Sequence, residues 1–324
     1  MKSKNSLAGC DFLKNSIKVI SVVGPTASGK TKLSVELAKK FNGEIISADS
    51  MLIYKGMQIA TAKPTEDEKC GIPHHLMGFL PADKTYSVAM FVKDARKCIA
   101  DINARNKLSF IVGGTGLYVD SLLNNIQFSD ECRDEKISEE LKKIYNLYGV
   151  EKLLEILSEF DEESTQRLKT EKNPKRIIRA IEFYKTTGTT ITQQIENSKL
   201  EESPYEAIKI GLNFRNREKL YERINRRVDI MLEEGLIDEA RQVLSGVLSY
   251  TSVKAIGYKE LIPFINGEKS LDECVEKLKR ETRRYAKRQI TWFKRDTEIN
   301  WLYVDEYNSF SELLNRAVQI INKG

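Results

Sequence analysis

The feature that most constrains this chain is an eight-residue loop set between an apolar strand and an amphipathic helix. Ile17–Val23 reads IKVISVV: short, apolar and rich in β-branched residues, the texture of a buried strand. Gly24-Pro25-Thr26-Ala27-Ser28-Gly29-Lys30-Thr31 follows and matches G-x-x-x-x-G-K-[ST]. Thr31–Phe41 then places Leu33, Leu37 and Phe41 at helical spacing. In that setting the glycines let several backbone N–H groups turn toward one phosphate cluster, and the helix beginning near Gly29 adds its positive end. Lys30 neutralises the outer phosphates, and the Thr31 hydroxyl can ligate Mg²⁺. The loop therefore predicts a bound polyphosphate. It leaves three reactions open: phosphoryl transfer, nucleotide hydrolysis, and transfer of another group with pyrophosphate leaving.

Further strand signals occur at Glu44–Ala48, Leu108–Val112, Ala207–Phe214 and Asn300–Val304, and Val88–Asn103 reads as a helix. Strands separated by helices or long connections favour a parallel sheet. After about Asn125 the texture becomes charged and helical. Asn173-Pro174 opens a clear helix, with Asn as cap and Pro in the first turn, that stops at Gly188. The expected fold is α/β: a P-loop NTPase-like core with a parallel sheet flanked by helices, plus a helical insertion. We assign the core to residues 1–125 and 201–324 and the insertion to 126–200.

Length allows about two domains in 324 residues. No apolar run approaches the roughly 20 residues of a membrane helix, and residues 1–16 lack the apolar stretch of a signal peptide. Five scattered cysteines without a C-x-x-C pair argue against a disulfide framework or a structural zinc site. A cytoplasmic location is the expectation. Net charge is only +5, but it is concentrated. Between Lys279 and Asp296 stand eight basic residues against two acidic ones. Arg280, Arg284, Lys287 and Arg288 fall on one helical face, with Tyr285, Trp292 and Phe293 interleaved. Such a stripe reads as a footprint for an RNA backbone, or as a solvated helix anchored in the core by Trp292.

Asp49 ends the second strand candidate, beside the phosphate loop in the usual ligand crevice of a parallel sheet. A metal ligand, a general base and a capped turn residue are all compatible with that position. His74 and His75 are the only histidines. Adjacent side chains on an extended segment point to opposite sides, so a structural role is favoured over a shared metal.

GPTASGKT, DSMLIYKGMQIATAKP, IPHHL at 72–76 and GGTGLY at 113–118 resemble the tRNA dimethylallyltransferase (tRNA isopentenyltransferase) family, bacterial type. NPKRIIRAIE, LYERINRRVDIML, AIGYKE and KRQITWF continue the resemblance, in the family's order, over nearly the whole chain. It implies transfer of a dimethylallyl group from dimethylallyl diphosphate to N6 of the adenosine at tRNA position 37, with diphosphate leaving. Asp49 matches the family's general base. Thr26 and Lys30 act on the diphosphate together with Gly24, Pro25, Ala27, Ser28, Gly29 and Thr31, and Mg²⁺ is the implied cofactor, with Thr31 as its ligand. Arg223 matches an arginine that contacts the diphosphate, with Arg227 as the alternative.

For tRNA, the resemblance implies contacts from Asp49, Ser50, Met51 and Leu52, from Thr115, and from Arg133. It adds Lys175, Arg176, Ile177, Ile178 and Arg179 in the insertion, and Lys254, Ala255, Ile256, Gly257, Tyr258 and Lys259. Lys287, Arg288, Gln289, Ile290, Thr291, Trp292, Phe293 and Lys294 complete the set. A monomer acting on an anticodon stem-loop, with the adenine flipped out of its stack, is the implied working form. Leu52, Gln58, Ala60 and Met77-Gly78 depart from the family's commonest residues and bear on the shape of the adenine pocket. No Cys/His module follows residue 300, so the extended form of the family is not supported. Three rivals share parts of the pattern: an adenylate isopentenyltransferase making cytokinins, a nucleoside or nucleotide kinase, and a non-enzymatic RNA-binding module. The basic stripe and the insertion favour tRNA over free nucleotide as acceptor.

Overall fold

The computed structural model describes residues 16–126, 134–200, 202–249 and 252–324. The chain runs β1 (Ile17–Val23), α1 (Lys30–Lys40), β2 (Gly43–Ser47), α2 (Glu66–Lys69), β3 (His74–His75), α3 (Val88–Ala104), β4 (Leu108–Gly113) and α4 (Gly116–Leu123). Four helices follow: α5 (Glu135–Ser158), α6 (Glu162–Glu171), α7 (Pro174–Thr187) and α8 (Ile191–Leu200). The chain then returns through β5 (Tyr205–Asn213), α9 (Arg217–Glu233), α10 (Leu236–Leu244), α11 (Tyr258–Ile265), α12 (Leu271–Phe293), β6 (Asn300–Tyr303) and α13 (Phe310–Lys323).

The strands form one parallel sheet in the order β3-β2-β4-β1-β5-β6. Side chains alternate across it. Val19 and Val23 of β1, Ile46 and Ile111 face one layer, in which Phe91, Ala95, Tyr118, Leu122, Tyr258, Leu278 and Phe293 are buried. Ile20 and Val22, with Ile45 and Phe110, face Leu33 and Leu37 of α1 and Leu313, Leu314 and Ala317 of α13. Burial on both faces is why these strands read as continuous apolar runs.

Helices α5–α7 pack around a separate cluster that includes Leu141, Leu153, Leu157, Leu168, Ile177 and Ile181. Asp161 ties α8 to them, accepting from the Ser164 N–H at 3.0 Å and the Thr192 hydroxyl at 2.7 Å. Asn173 caps α7, Pro174 occupies its first turn and Gly188, at φ +70°, ends it, as the sequence predicts.

At the amino ends of the strands Glu44 is almost fully buried. It accepts from Arg105, from Lys107 at 2.8 Å and pairs with His75 Nε2 at 2.7 Å. The arginine holds its carboxyl well below the usual carboxylate range. His74 donates from Nδ1 to the Ile72 carbonyl at 2.8 Å. The two histidines thus hold the β2–β3 edge, in register with Ile45 and Ile46.

Candidate active site and nucleic-acid interface

The register pairs Val23 with Gly113 and Ser47 with Val112, so β1, β4 and β2 end side by side. Gly24, Gly114 and Asp49 leave the sheet from that common edge. The chain crosses from β1 to β2 over β4 and later returns to β5 on the other side of β1, which opens a crevice at the switch point.

Gly24 has φ +145°, and a Cβ there would sit 2.4 Å from the Leu212 carbonyl oxygen. Ala27 holds a left-handed φ of 62°, a strained state for a residue with a side chain. Arg223 of α9 pins it, donating from Nε to the Ala27 carbonyl at 2.9 Å. Gly29 precedes α1 and supplies no side-chain cap, so the first-turn N–H groups of that helix are available as donors. The Ser28 hydroxyl is buried with no hydrogen-bond partner.

Lys30 donates to the Pro25 carbonyl at 2.7 Å. Burial pushes its ammonium down to about 7, Asp49 pulls it back up, and Arg227 pushes it further down. Burial also lowers the Arg227 guanidinium, with Asp49 opposing. Two cations and one carboxylate therefore lie within electrostatic reach of one another at the mouth of the loop. Asp49 Oδ1 accepts from the Met51 N–H at 2.8 Å and weakly from the Leu52 N–H at 3.4 Å. The turn-cap reading of Asp49 is thus satisfied by one oxygen. Thr115 accepts from the Ser50 N–H at 3.1 Å and donates its own N–H to the Ala48 carbonyl at 3.2 Å, which fixes the two strand ends together.

Helix α12 closes the site from above. A Cβ at Gly114 would lie 1.9 Å from Gln289 Nε2, and one at Gly116 would lie 2.1 Å from Trp292 Cδ1. Gly114 and Gly116 of GGTG therefore answer to the close approach of this helix, whereas Gly113 answers to the Ala48 backbone, whose carbonyl oxygen a Cβ there would meet at 2.1 Å. Gln289 accepts from the Thr26 N–H at 2.9 Å and donates to the Gly114 carbonyl at 3.0 Å, bridging the phosphate loop to the β4 turn. Trp292 donates from Nε1 to Asp120 at 2.6 Å.

Several residues expected to touch tRNA are inside the protein. Ile177 and Ile178 belong to the core of α5–α7. Ala255, Tyr258 and Phe293 are buried under the sheet, and Gln289 is used by the loop. Their short sequence neighbourhoods match, but every third or fourth helical position must face inward. Ile256 and Ile290 are half-buried packing residues. Trp292 is an anchor, bonded to Asp120 and packed over Gly116. Arg133 lies outside the described residues, as does the Lys254 side chain.

The outward set is basic apart from Thr291. Lys175, Arg176, Lys259, Lys287, Arg288, Thr291 and Lys294 are exposed. Arg176 pairs with Glu171, and Arg179 donates to Glu182 at 2.9 Å. On α12 the exposed side carries Arg280, Arg284, Lys287 and Arg288, while Cys274, Leu278, Ala286 and Phe293 face inward.

Of the tyrosines near Asp49, the sequence places Tyr285 only among the aromatics of the basic stripe and gives Tyr118 no role. Tyr118 and Tyr285 both lie within reach of its charge, and burial, aided by that charge, holds their hydroxyls protonated. Glu239 was missed entirely. A helical glutamate gives no signal of its own, because only the fold brings residue 239 to residue 58.

A model described as IPP transferase matches residues 52–296, and one described as isopentenyl transferase matches residues 17–74. A tRNA dimethylallyltransferase of Caldanaerobacter subterraneus is 47% identical over 300 residues, spanning 92% of this chain and 95% of its own. The crystal structure of a tRNA isopentenylpyrophosphate transferase from Staphylococcus epidermidis superposes with a TM-score of 0.69 at 45% identity, covering 95% of this chain and 100% of that one. A eukaryotic dimethylallyltransferase, captured crystallographically acting on tRNA, gives a TM-score of 0.78 at 30% identity, covering 95% of this chain and 79% of that one.

Proposed function

The chain belongs to the tRNA dimethylallyltransferase family, and from that premise we propose how its own residues divide the work. It is a prenyltransferase that places a dimethylallyl group on N6 of adenosine 37 of tRNA and releases diphosphate. In our reading the Gly24–Thr31 loop and the first turn of α1 hold the diphosphate of dimethylallyl diphosphate. Lys30, Arg223 and Arg227 neutralise it. The adenine enters from the side of Thr115 and Asp49, and the exposed face of α12 and helices α5–α8 hold the anticodon arm.

The chemistry needs a base on one side and an anion sink on the other. The N6 lone pair is delocalised into the purine ring and attacks poorly while both protons remain. As N6 bonds to the allylic carbon, that carbon's bond to the diphosphate oxygen breaks. Asp49 accepts the proton from N6, and the bonding electrons leave with the diphosphate. Positive groups fixed before the reaction favour that departing charge. The observation that carries this reading is the convergence of Asp49, Lys30 and Arg227 beside one loop, under a helix whose outer face is basic.

Family membership implies a Mg²⁺-using reaction with a prenyl diphosphate. The donors here fit such an ion. Thr31 and the unpartnered, buried Ser28 hydroxyl are hard oxygen ligands beside the phosphate site. Among the described residues no cage of three or more His, Cys, Asp or Glu is present, and Mg²⁺ bound through substrate phosphates and water does not require one. When bound, it supplies further neutralisation of the leaving diphosphate.

The decisive assay supplies labelled dimethylallyl diphosphate with unmodified tRNA, with AMP, or with ATP and nucleosides. Label is expected on tRNA alone. Exclusive labelling of AMP, or phosphoryl transfer from ATP, removes the reading. A pH test addresses Lys30 directly. The free ammonium is charged below about pH 7 and neutral above it. Diphosphate favours the charged form, so binding above that pH takes up a proton. Affinity should fall as pH rises, by up to about tenfold per unit. Calorimetry in buffers of different ionisation enthalpy should show this proton uptake at pH 8, and Lys30→Met should lack it. Equal proton uptake in both proteins excludes Lys30 as the source.

A further inference from the structure

The carboxylate of Glu239, in the first turn of α10, collects four donors. It accepts from the Gln58 N–H at 2.7 Å, the Ile59 N–H at 2.8 Å and the Ala60 N–H at 2.9 Å, and from the Tyr258 hydroxyl at 2.8 Å. Three consecutive backbone N–H groups aimed at one carboxylate form a concave anion nest, a geometry extended chain does not offer. The segment is tied by its own bonds as well. Ala62 N–H donates to the Ile59 carbonyl at 2.8 Å and Lys63 N–H to the Gln58 carbonyl at 2.9 Å. Tyr258 is fully buried, so its hydroxyl is a fixed point in the core beneath. Gly257 lets the segment approach, since a Cβ there would lie 3.0 Å from that of Ala60.

This nest ends at the site. The Ala62 carbonyl accepts from Arg227 Nη2 at 3.4 Å, and Lys63 Nζ donates to the Tyr54 carbonyl at 2.9 Å on the segment that follows Asp49. Arg227 in turn lies within electrostatic reach of Lys30 and Asp49. We propose that Glu239 is a positioning residue for group transfer: by gathering the amides of Gln58–Ala60 it sets the Ala62 carbonyl, and through it the Arg227 guanidinium, against the departing diphosphate. The inference rests on the reading of the loop as the diphosphate site. Glu239 itself touches neither substrate. Its effect belongs to the transition state, where charge on the leaving group is greatest, more than to tRNA binding.

The test is Glu239→Gln, which keeps the shape but turns an NH₂ toward donors. With full-length protein, turnover of dimethylallyl diphosphate and tRNA should fall roughly 10- to 100-fold, as misplaced catalytic groups do. Affinity for an anticodon hairpin should stay within about twofold. In an Arg227→Ala background the same substitution should change kcat by less than about twofold, because the group it positions is already gone. Tyr258→Phe removes one donor and keeps the amide nest, so it should show a smaller loss of the same kind and covers the case in which Glu239→Gln does not fold. A kcat unchanged in Glu239→Gln, or equal losses in both backgrounds, overturns the proposal while wild-type transfer stands. Absence of transfer by the wild type overturns the reading beneath it.

Discussion

Asp49→Asn is expected to retain tRNA binding and the local fold while losing roughly 10² to 10⁴ in turnover, the range removed with a general base. Asparagine isolates the chemistry. Asp49 Oδ1 caps the Met51 N–H at 2.8 Å, and an amide oxygen still serves there. Alanine removes both functions, so the two variants together separate proton acceptance from turn capping. Asp49 also raises the Lys30 pKa in the free protein. Without that charge Lys30 titrates lower still, and diphosphate binding weakens sooner as pH rises. Single-turnover rates at saturating substrate below pH 7 keep this second effect out of the comparison. Near-normal turnover of Asp49→Asn under those conditions leaves Asp49 as a turn residue only.

How far this site was readable from the chain depends on the range of the contacts. The phosphate loop is legible because every group it uses is local: strand, glycines, lysine and helix start lie within fifteen residues of one another. The strands were legible because burial on both faces writes itself as an apolar run, and α7 because its cap, its first-turn proline and its terminal glycine all lie on the chain. The clamp from Gln289 to Thr26 spans 263 positions and the nest from Glu239 to Gln58 spans 181. Neither leaves a local trace. The residues expected to meet tRNA divide into inward and outward sets for a related reason. Each motif is contiguous along the chain, but a helix turns every third or fourth position inward, so Ile177, Ile178 and Phe293 are buried beneath the exposed basic residues of their motifs. The motif KRQITWF holds two functions in one helical segment. Gln289 and Phe293 lock the site and the core, and Lys287 and Arg288 face outward.

That division of faces makes the outer side of α12 separable from catalysis, and it sets the other large effect. Replacing Arg280, Arg284, Lys287 and Arg288 by glutamine removes four cations from one side of a helix about 35 Å long. The buried face, with Leu278, Ala286, Gln289 and Phe293, is untouched. Glutamine is a good helix former. Among the described residues, the close ion pair in this set is Arg284 with Glu281 at 2.7 Å, with Arg280 at 3.9 Å from the same carboxylate. Such exposed pairs contribute about 0–1 kcal/mol, so the fold should persist. Each phosphate neutralised contributes about 0.7 to 0.9 to the slope of log affinity against log salt. Four lost contacts flatten that slope by roughly 3. Between 50 and 200 mM salt the wild type should therefore lose about a hundredfold more tRNA affinity than the variant. At saturating tRNA and low salt, turnover should remain within a few-fold of wild type, because Gln289 still holds the loop from the opposite face. Parallel salt slopes for the two proteins place the RNA backbone elsewhere, and a collapse of turnover at saturation shows that the two faces of this helix do not act independently.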